Sequence, residues 1–499
     1  MKYIFNHYYV LRNDVKRAII CSSDYTSSSI DIDKGWVAFI HPIYAMIFSF
    51  FSEPISLDDA VDKVSNFFGF TKEYAKVLLQ NFIENKEPFH TVYKGDANNF
   101  PRNILVDSEK MKDGIRKYAP EDFVYTGIDL NTRRLFRAPL YLTFMINNKC
   151  LTNCIYCYAD RYTHNQLLEF AKVRQIIEDA YKLGIVSFNL DGGEFFLYPY
   201  WREILDTLKM YNYRPEVIST KYPISTEMIS DFARYNINLQ VSFDSISQPT
   251  LDAMVGRIPN YCNRMMETLR CIDKVMSFQI ATILTKYNGN TAELEHMYQF
   301  LSNLKNLRRW EVRVAFKSLY SRSRFEDREI ERASIDKIHE WVKTKQAVSK
   351  FEIIWSPGKE IDFFTSHKGG VDFKGAKCSA NSIHMFVLPD GEVTICEQLY
   401  WNKHFLIGDL KKDSIEEVWN SANALYLANR KREDYSKQSA CRECKIFEIC
   451  KKEMNECFPN IMKVYGSDHW DFPDPRCDKA PRNISEKIYV YLKSATYRV

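Results

Sequence analysis

Residues 140–160 read LYLTFMINNKCLTNCIYCYAD, an apolar run followed at once by three closely spaced cysteines. The run from Leu140 to Ile146 predicts a buried strand. Cys150, Cys154 and Cys157 follow it with CxxxCxxC spacing. Because thiolates are the usual ligands of iron–sulfur clusters, three of them on one short loop predict a [4Fe–4S] cluster. Cysteine would hold three of its irons and leave the fourth open to another ligand.

Two other interpretations of this loop are weaker. A structural zinc site usually has four ligands in paired spacings, whereas this loop offers three. Cysteines that only fill a core have no reason to fall together on one loop. The cluster interpretation is therefore preferred to both.

Strand and helix patterns alternate from this first strand onward. The predicted strands are Leu140–Ile146, Val186–Leu190, Glu216–Ser219, Leu239–Phe243, Phe278–Leu284 and Trp310–Ala315, and the predicted helices are Leu167–Leu183, Tyr200–Tyr211, Thr226–Tyr235, Tyr261–Val275 and Thr291–Leu304. About six βα units predict a parallel sheet, open or curled, with helices outside it. Ligands of such sheets lie at the carboxyl ends of the strands, where the cysteine loop stands.

A CxxxCxxC loop after the first strand of an alternating β/α region resembles the radical S-adenosylmethionine superfamily. The resemblance implies an α/β fold with a partial, TIM-like (β/α)6 barrel. It also implies that the open iron binds the amino and carboxylate groups of S-adenosylmethionine. One-electron cleavage of this cofactor then gives methionine and a 5′-deoxyadenosyl radical.

Further motifs are similar to the cofactor-binding motifs of the same family. Asp191-Gly192-Gly193-Glu194 looks like the GGE motif, in which glycines let the backbone approach the ligand and the glutamate accepts from the methionine ammonium. Tyr156 stands where the family has an aromatic residue against the adenine. Alone, the GGE motif would be an ordinary strand-end turn, but its place one βα unit after the cysteine loop supports the resemblance.

Four more side chains stand where relatives bind the carboxylate and ribose of the cofactor. They are Ser219, Ser242, Asp244 and Arg257. Serine and aspartate are also ordinary residues at strand ends and helix caps. A purely structural role therefore stays open for these positions.

Seven cysteines are concentrated in the C-terminal part of the chain. They are Cys378, Cys396, Cys441, Cys444, Cys450, Cys457 and Cys477. Between the first two, Pro389-Asp390-Gly391 predicts a hairpin turn. The arrangement resembles the SPASM domain, the twin-cluster extension of peptide-modifying radical enzymes, although the interval before Cys457 is longer than the family usually shows. A zinc ribbon would account for Cys441 and Cys444 alone.

The SPASM resemblance implies how these cysteines are shared between two auxiliary clusters. The outer cluster would be fully ligated by Cys441, Cys444, Cys450 and Cys477, and the inner cluster would be held by Cys378, Cys396 and Cys457. Fully ligated relatives have an eighth cysteine shortly before these, where this chain has Asp372. The fourth iron of the inner cluster is left for Asp372, water or a substrate thiolate. With the radical cluster, three [4Fe–4S] clusters are expected.

The N-terminal residues predict a small separate domain. β-prone runs at Tyr8–Leu11, Ala18–Cys21, Ile30–Ile32 and Trp36–Ile40 precede helical patterns at Pro42–Phe51, Ala60–Phe68 and Thr71–Glu84. This winged-helix-like order, ahead of a radical enzyme, resembles the PqqD-like recognition domain, in which a leader peptide adds as a strand to the sheet edge. A nucleic-acid-binding winged helix is the alternative, but Thr71–Glu84 is not strongly basic.

The composition is typical of a folded protein of about three domains. The chain has 499 residues and a net charge of +4, too small to imply a nucleic-acid or membrane partner. We expect neither a membrane span nor a secretory signal, and hence a cytoplasmic protein. The expected divisions are a recognition domain at 1–95, a linker at 96–137, a radical SAM core at 138–345 and a SPASM domain at 346–499.

The expected function is that of a maturase of ribosomally made peptides. It would abstract a hydrogen from a precursor peptide with a leader and install a thioether or another side-chain crosslink, with an electron donor such as flavodoxin or ferredoxin. One alternative is a formylglycine-forming enzyme of the sulfatase-maturing kind, against which the extra N-terminal domain argues. The other is a non-catalytic peptide-binding relative, against which the intact Cys150, Cys154, Cys157 and Glu194 argue.

Overall fold

The computed structural model describes residues 1–23, 30–111, 116–163, 166–320, 327–357 and 378–481. In chain order these residues form an N-terminal unit of small antiparallel sheets and helices, a region of parallel strands with helices between them, and a C-terminal region of short strands and helices. Within them, no helix combines the length and the apolar character needed to cross a membrane.

The N-terminal unit is built from short strands around three helices. Its strands are β1 (Lys2–Phe5), β2 (Tyr9–Asn13), β3 (Ala18–Ser22), β4 (Val37–Ile40), β5 (Ile55–Ser56), β6 (Phe89–Tyr93), β7 (Asp96–Phe100) and β8 (Leu105–Asp107), and its helices are α1 (Pro42–Ser49), α2 (Leu57–Phe68) and α3 (Lys72–Gln80). The three predicted helices are confirmed. Ser56 and Thr71 cap α2 and α3 by accepting from backbone N–H groups in the first turn.

Two expectations about this unit are corrected. Ile30–Ile32 is not a strand, because side chains rather than a ladder hold this segment: Arg102 pairs with Asp31 at 2.7 Å and with Asp33 at 2.9 Å. Residues 96–107 are not linker, because β8 pairs antiparallel with β1. Phe100 and Leu105 are fully buried in the same core as α1–α3.

The turn between β2 and β3 joins this unit to the segment before the parallel strands. Asp14 and Arg17 form a fully buried ion pair at 2.8 Å. Asp14 also accepts from the backbone N–H groups of Phe136 and Arg137 at 2.8 and 2.9 Å, and Arg17 donates to backbone carbonyls of residues 132 and 134. Buried charges need such partners, so the ion pair fixes how the two parts are joined.

Removing one member of the Asp14–Arg17 pair should destabilise the folded protein. We expect Asp14→Ala to lower the free energy of unfolding by about 3–5 kcal/mol, because it leaves the Arg17 guanidinium buried without its carboxylate. Denaturant unfolding followed by fluorescence would measure it. Lys16→Ala, in the same turn but exposed, is the control and should change stability little. Equal stabilities of the two variants would contradict the joining role.

The parallel region follows the predicted alternation closely. Its strands are β9 (Tyr141–Asn147), β10 (Ser187–Gly192), β11 (Ile218–Thr220), β12 (Leu239–Ser242), β13 (Phe278–Leu284), β14 (Leu307–Val314) and β15 (Glu352–Ser356), and its helices are α4 (Phe170–Lys182), α5 (Trp201–Met210), α6 (Thr226–Arg234), α7 (Gln248–Val255), α8 (Tyr261–Asp273), α9 (Thr291–Leu301) and α10 (Arg332–Gln346). The predicted strands and helices are confirmed, and α7, α10 and β15 are additions. β11 to β15 form one parallel sheet in chain order.

The C-terminal region continues the other half of the barrel. It contains β16 (His384–Val387), β17 (Glu392–Thr394), β18 (Leu406–Asp409), α11 (Ile415–Trp419), α12 (Ala422–Ala428), α13 (Phe447–Lys452) and α14 (Phe458–Tyr465). β16 pairs in parallel with β9, whose other edge pairs with β10, and β17 returns antiparallel through the predicted hairpin turn. One hydrophobic core spans the barrel and this region, so the two form a single packed body.

Candidate functional site

The cysteine loop lies at the carboxyl end of β9, as the sequence predicted. Cys150, Cys154 and Cys157 are half-buried free thiols. The Thr152 hydroxyl lies 3.2 Å from the Cys150 Sγ and 3.3 Å from the Cys154 Sγ. The cysteine spacing alone did not predict that Thr152 would contact these thiols. The backbone N–H of Asn153 donates to the end of α7, which fixes the loop against the barrel.

The two glycines of the GGE motif bring the end of β10 against this loop. A Cβ on Gly192 would lie 2.2 Å from the Asn147 carbonyl oxygen, and one on Gly193 would lie 1.9 Å from the Lys149 carbonyl oxygen. The N–H groups of Gly193 and Glu194 donate to the same two carbonyls at 2.7 Å. The sequence predicted close approach to a ligand at these glycines; in the structure the close approach is to the cysteine loop.

Glu194 has a carboxylate oxygen that no group in the described protein satisfies. The side chain is 1% exposed, its Oε2 accepts from the backbone N–H of Lys221 at 3.0 Å, and its Oε1 has no hydrogen-bond partner. Burial raises the pKa of Glu194 to about 7. An ammonium group would satisfy the free oxygen and favour the ionised form, so the site fits the methionine end of S-adenosylmethionine.

Lys221 supplies a positive charge that sequence reasoning missed. Its Nζ lies 2.6 Å from the Asp244 Oδ2, and Asp244 is itself fully buried. Burial lowers the pKa of Lys221, but Asp244 and the Cys154 and Cys150 thiols raise it by more, so the ammonium stays charged beside the loop. The signal available in the sequence was only its position after the predicted strand 216–219.

Of the other residues predicted to bind the cofactor, some contact the Lys221–Asp244 ion pair and the others lie elsewhere. Tyr156 donates its hydroxyl to the Asp244 Oδ2 at 2.5 Å, so both side chains already have protein partners. Ser219, in the middle of β11, and Ser242, at the end of β12, are half-buried, whereas Arg257 is exposed after α7. Contacts of these five residues with the cofactor stay a prediction.

Several of the C-terminal thiols lie near one another. Burial raises the pKa of Cys396 well above its usual value, and the thiols of Cys378 and Cys457 lie close enough to add to the effect. Burial likewise raises the pKa of Cys450 to about 12, with further contributions from Cys477 and Cys444. Cys441 has Cys477 and Cys450 as neighbours.

These thiols are not grouped around one metal ion. Among the described side chains, no set of three or more His, Cys, Asp or Glu residues is close enough to hold a single ion. A cluster carries its cysteines on separate irons and so accommodates wider spacing. Asp372, the candidate fourth ligand of the inner cluster, lies outside the described residues. The division of the cysteines into ligand sets stays a prediction.

Two buried carboxylates lie near each other and near the cysteine loop. Asp191, at the end of β10, accepts from the Tyr158 hydroxyl at 3.4 Å. Burial, and then the nearby Asp191 charge, raise the pKa of Glu397, the residue after Cys396, to about 7. The Tyr400 hydroxyl is close to both carboxylates and to Cys157. The sequence pointed to neither carboxylate as a functional group, because they come from elements about 200 residues apart whose meeting depends on the fold.

Two known families match this chain, one in each of its two cysteine-rich regions. Residues 144–301 match the radical SAM superfamily, and residues 378–445 match SPASM, an iron–sulfur cluster-binding domain. Both resemblances inferred from the cysteine motifs are confirmed.

Individual proteins and solved structures are also similar to this chain. The antilisterial bacteriocin subtilosin biosynthesis protein AlbA of Bacillus subtilis (strain 168) is 22% identical over 294 residues, which are 57% of this chain and 60% of AlbA. The chain thus matches less than two thirds of that relative. Crystal structures of Streptococcus suis SuiB, bound to its precursor peptide SuiA or to S-adenosylmethionine, superpose with TM-scores of 0.63 and 0.62. They cover 96% and 95% of this chain and 100% of SuiB at 14% identity, which shows a shared fold.

The free oxygen of Glu194 predicts a pH dependence of cofactor binding. Because the pKa of Glu194 is raised to about 7, ionised carboxylate becomes more abundant as the pH rises through neutrality, and affinity for S-adenosylmethionine should rise with it. Glu194→Gln should weaken binding by about 10–100-fold and flatten the rise. Titration calorimetry between pH 6 and 8 would measure both. Glu203→Gln, exposed on α5, is the control; if its pH profile matches that of Glu194→Gln, Glu194 is not the ammonium acceptor.

Proposed function

We propose that this chain, a radical S-adenosylmethionine enzyme with a SPASM domain, matures a ribosomally made precursor peptide by forming a side-chain crosslink. The observation that carries the proposal is the parallel pairing of β16 with β9. With it, Glu397, the residue after Cys396, lies near Asp191 at the end of β10, and the Tyr400 hydroxyl lies near both carboxylates and Cys157. A peptide side chain held there would be within reach of both cysteine sets.

The barrel residues would bind and orient the cofactor. Cys150, Cys154 and Cys157 would hold the radical cluster, which with S-adenosylmethionine supplies a carbon radical able to abstract hydrogen. Glu194 would accept from the methionine ammonium. Lys221, the buried cation beside it, would balance the negative charge of the thiolates and of the methionine carboxylate.

The two carboxylates would serve the peptide. Making a crosslink removes two hydrogens from the peptide, so besides the abstracted hydrogen atom a proton and an electron must leave, and an auxiliary iron–sulfur cluster would supply the acceptor for the electron. Burial raises the pKa of Asp191, and no cation is among the groups that set it, so its carboxylate is suited to accept that proton. A thioether is one form that the crosslink could take.

The order of the C-terminal cysteines supports two auxiliary clusters, and with the radical cluster three [4Fe–4S] clusters in all.

The peptide reaction can be tested with candidate precursor peptides encoded near this gene. After anaerobic reaction with a reductant, mass spectrometry should show a product lighter by two hydrogens, and chromatography should show 5′-deoxyadenosine. Changing Cys150, Cys154 and Cys157 together to Ala should abolish both, because the cofactor then has no cluster beside it. Cys271→Ala, outside every cysteine group, is the control.

Asp191→Asn separates proton removal from cofactor cleavage. It should cut the crosslinked product at least tenfold yet leave 5′-deoxyadenosine formation without peptide unchanged, whereas Asp206→Asn, exposed on α5, should alter neither. A crosslink formed at the normal rate by Asp191→Asn would contradict the proton-acceptor role. Deoxyadenosine from the triple cysteine variant would contradict the radical assignment itself.

The N-terminal unit would bind the leader of the precursor by strand addition. Its sheet has the order β2-β3-β4, and the outer side of β2 is covered where the Leu11 N–H donates to the Tyr118 hydroxyl at 3.1 Å. β4 is the other outer strand of this sheet, and β7 lies near it, with the Asn98 Oδ1 accepting from the His41 N–H just after β4 at 2.6 Å. An extended leader would add along the rest of β4. The electron donor would be a small redox protein such as flavodoxin or ferredoxin.

Strand addition predicts an alternating pattern of sensitivity in the leader. Only every second N–H of an added strand faces the sheet edge, so single proline substitutions along the leader should weaken binding strongly at alternate positions. Fluorescence polarisation of labelled leader peptides would measure the affinities. Alanine at the same positions is the control for loss of the side chain. Proline effects without alternation would contradict pairing to β4.

A further inference from the structure

A buried group of charges lies next to the outer C-terminal thiols and has no part in the function proposed above. Arg430 donates from Nη2 to the Glu456 Oε2 at 2.8 Å, and the Lys451 Nζ lies 3.0 Å from the same oxygen. The Tyr435 hydroxyl donates to the other oxygen, Oε1, at 2.7 Å. The side chains of Arg430, Glu456 and Lys451 are only 0%, 10% and 18% exposed.

This group carries more positive than negative charge. Two cations, the Arg430 guanidinium and the Lys451 ammonium, share the single Glu456 carboxylate. The Arg430 guanidinium packs over the rings of Tyr435 and Phe458, at 4.4 and 5.0 Å from their centres. A surplus of buried positive charge is costly unless an anion compensates it.

Arg430 also has donors that nothing in the described protein uses. Its Nε and Nη1 are buried and have no hydrogen-bond partner. Buried N–H groups are nearly always paired, and unpaired ones at a charged side chain point to a missing acceptor. Both the surplus charge and the free donors therefore indicate a negatively charged acceptor at this place.

The outer thiols are in the right place to provide that acceptor. Arg430 interacts electrostatically with Cys441, and Lys451 with Cys450, the residue before it. Glu456 interacts with both thiols and directly precedes Cys457 of the inner set. The three charged side chains thus lie beside the outer cysteine set and reach towards the inner one.

We propose that Arg430 and Lys451, held in place by Glu456, are the counter-charge of the outer auxiliary cluster and raise its reduction potential. The inference rests on the proposed binding of that cluster by Cys441, Cys444, Cys450 and Cys477. A cubane held by four thiolates is anionic, and reduction adds one more negative charge, which nearby buried cations and N–H···S hydrogen bonds stabilise. Arg430 and Lys451 are positioning residues, since they act on the potential and not on the peptide.

Neighbouring residues of the chain give matched controls for this proposal. Arg430→Gln pairs with Lys431→Gln, and Lys451→Gln pairs with Lys452→Gln, where Lys431 and Lys452 are exposed. All variants carry alanine at Cys150, Cys154 and Cys157, so that only auxiliary clusters remain. The measurement is a reductive titration followed by electron paramagnetic resonance, without peptide or S-adenosylmethionine. The signal lost in Cys444→Ser identifies the outer cluster.

The expected result is a lower midpoint potential of the outer cluster in Arg430→Gln and Lys451→Gln. The shift should reach about tenfold in the one-electron equilibrium constant, or about 59 mV, while both controls stay at the parent value. Arg430→Lys, which keeps the charge but loses the planar fork of donors, should recover part of the shift.

Midpoints of Arg430→Gln and Lys451→Gln equal to their controls, at equal iron content, would overturn the proposal. If Arg430→Gln fails to hold iron, Lys451→Gln decides by the same criterion, since Lys451 is only partly buried. A parent protein without the outer signal would overturn the proposal together with the cluster assignment. If the protein does not crosslink a peptide, the midpoint potentials of these variants are unaffected. The proposed peptide reaction and the proposed counter-charge of the outer cluster are therefore tested separately.

Discussion

The parallel hydrogen-bond ladders on both edges of β9 are the constraint on which the site depends. One edge binds β10, which ends in the GGE motif, and the other binds β16, whose hairpin leads to Cys396. Because side chains alternate along a strand, a one-residue change of either register would turn the site residues to the other face. The same ladders join the SPASM region to the barrel, and the buried Asp14–Arg17 pair joins the N-terminal unit to the segment before β9.

Around this framework, the protein buries charges that its own groups only partly balance. Glu194 keeps one free oxygen at the barrel end, and Arg430 keeps two free N–H groups near the outer thiols. Lys221, in contrast, is closely paired with Asp244. Unbalanced buried charge destabilises a fold, so its repeated occurrence beside thiols indicates places built for charged ligands. A charged ligand bound at Glu194 or Arg430 would therefore stabilise the fold as well as being held by it.

Much of the architecture could be predicted because the patterns are local. The alternating apolar runs predicted the strands from β9 to β14, and the helical patterns after Ala60 and Thr71 predicted α2 and α3. The errors have physical causes. Ile30–Ile32 has a strand-like composition, but Arg102 holds it through Asp31 and Asp33, and β7 reads DANNF, too polar to be recognised as a strand.

For the site, the cysteine spacing was sufficient to indicate the radical S-adenosylmethionine superfamily, because ligands on one short loop are close in space whatever the rest of the chain does. The spacing alone could not show that Lys221 would meet Asp244, that Glu397 would face Asp191, or that Arg430 would lie beside Cys441. Each of these pairs joins residues from different elements. Their meeting depends on sheet pairing and core packing, which set distances that no local pattern in the chain encodes.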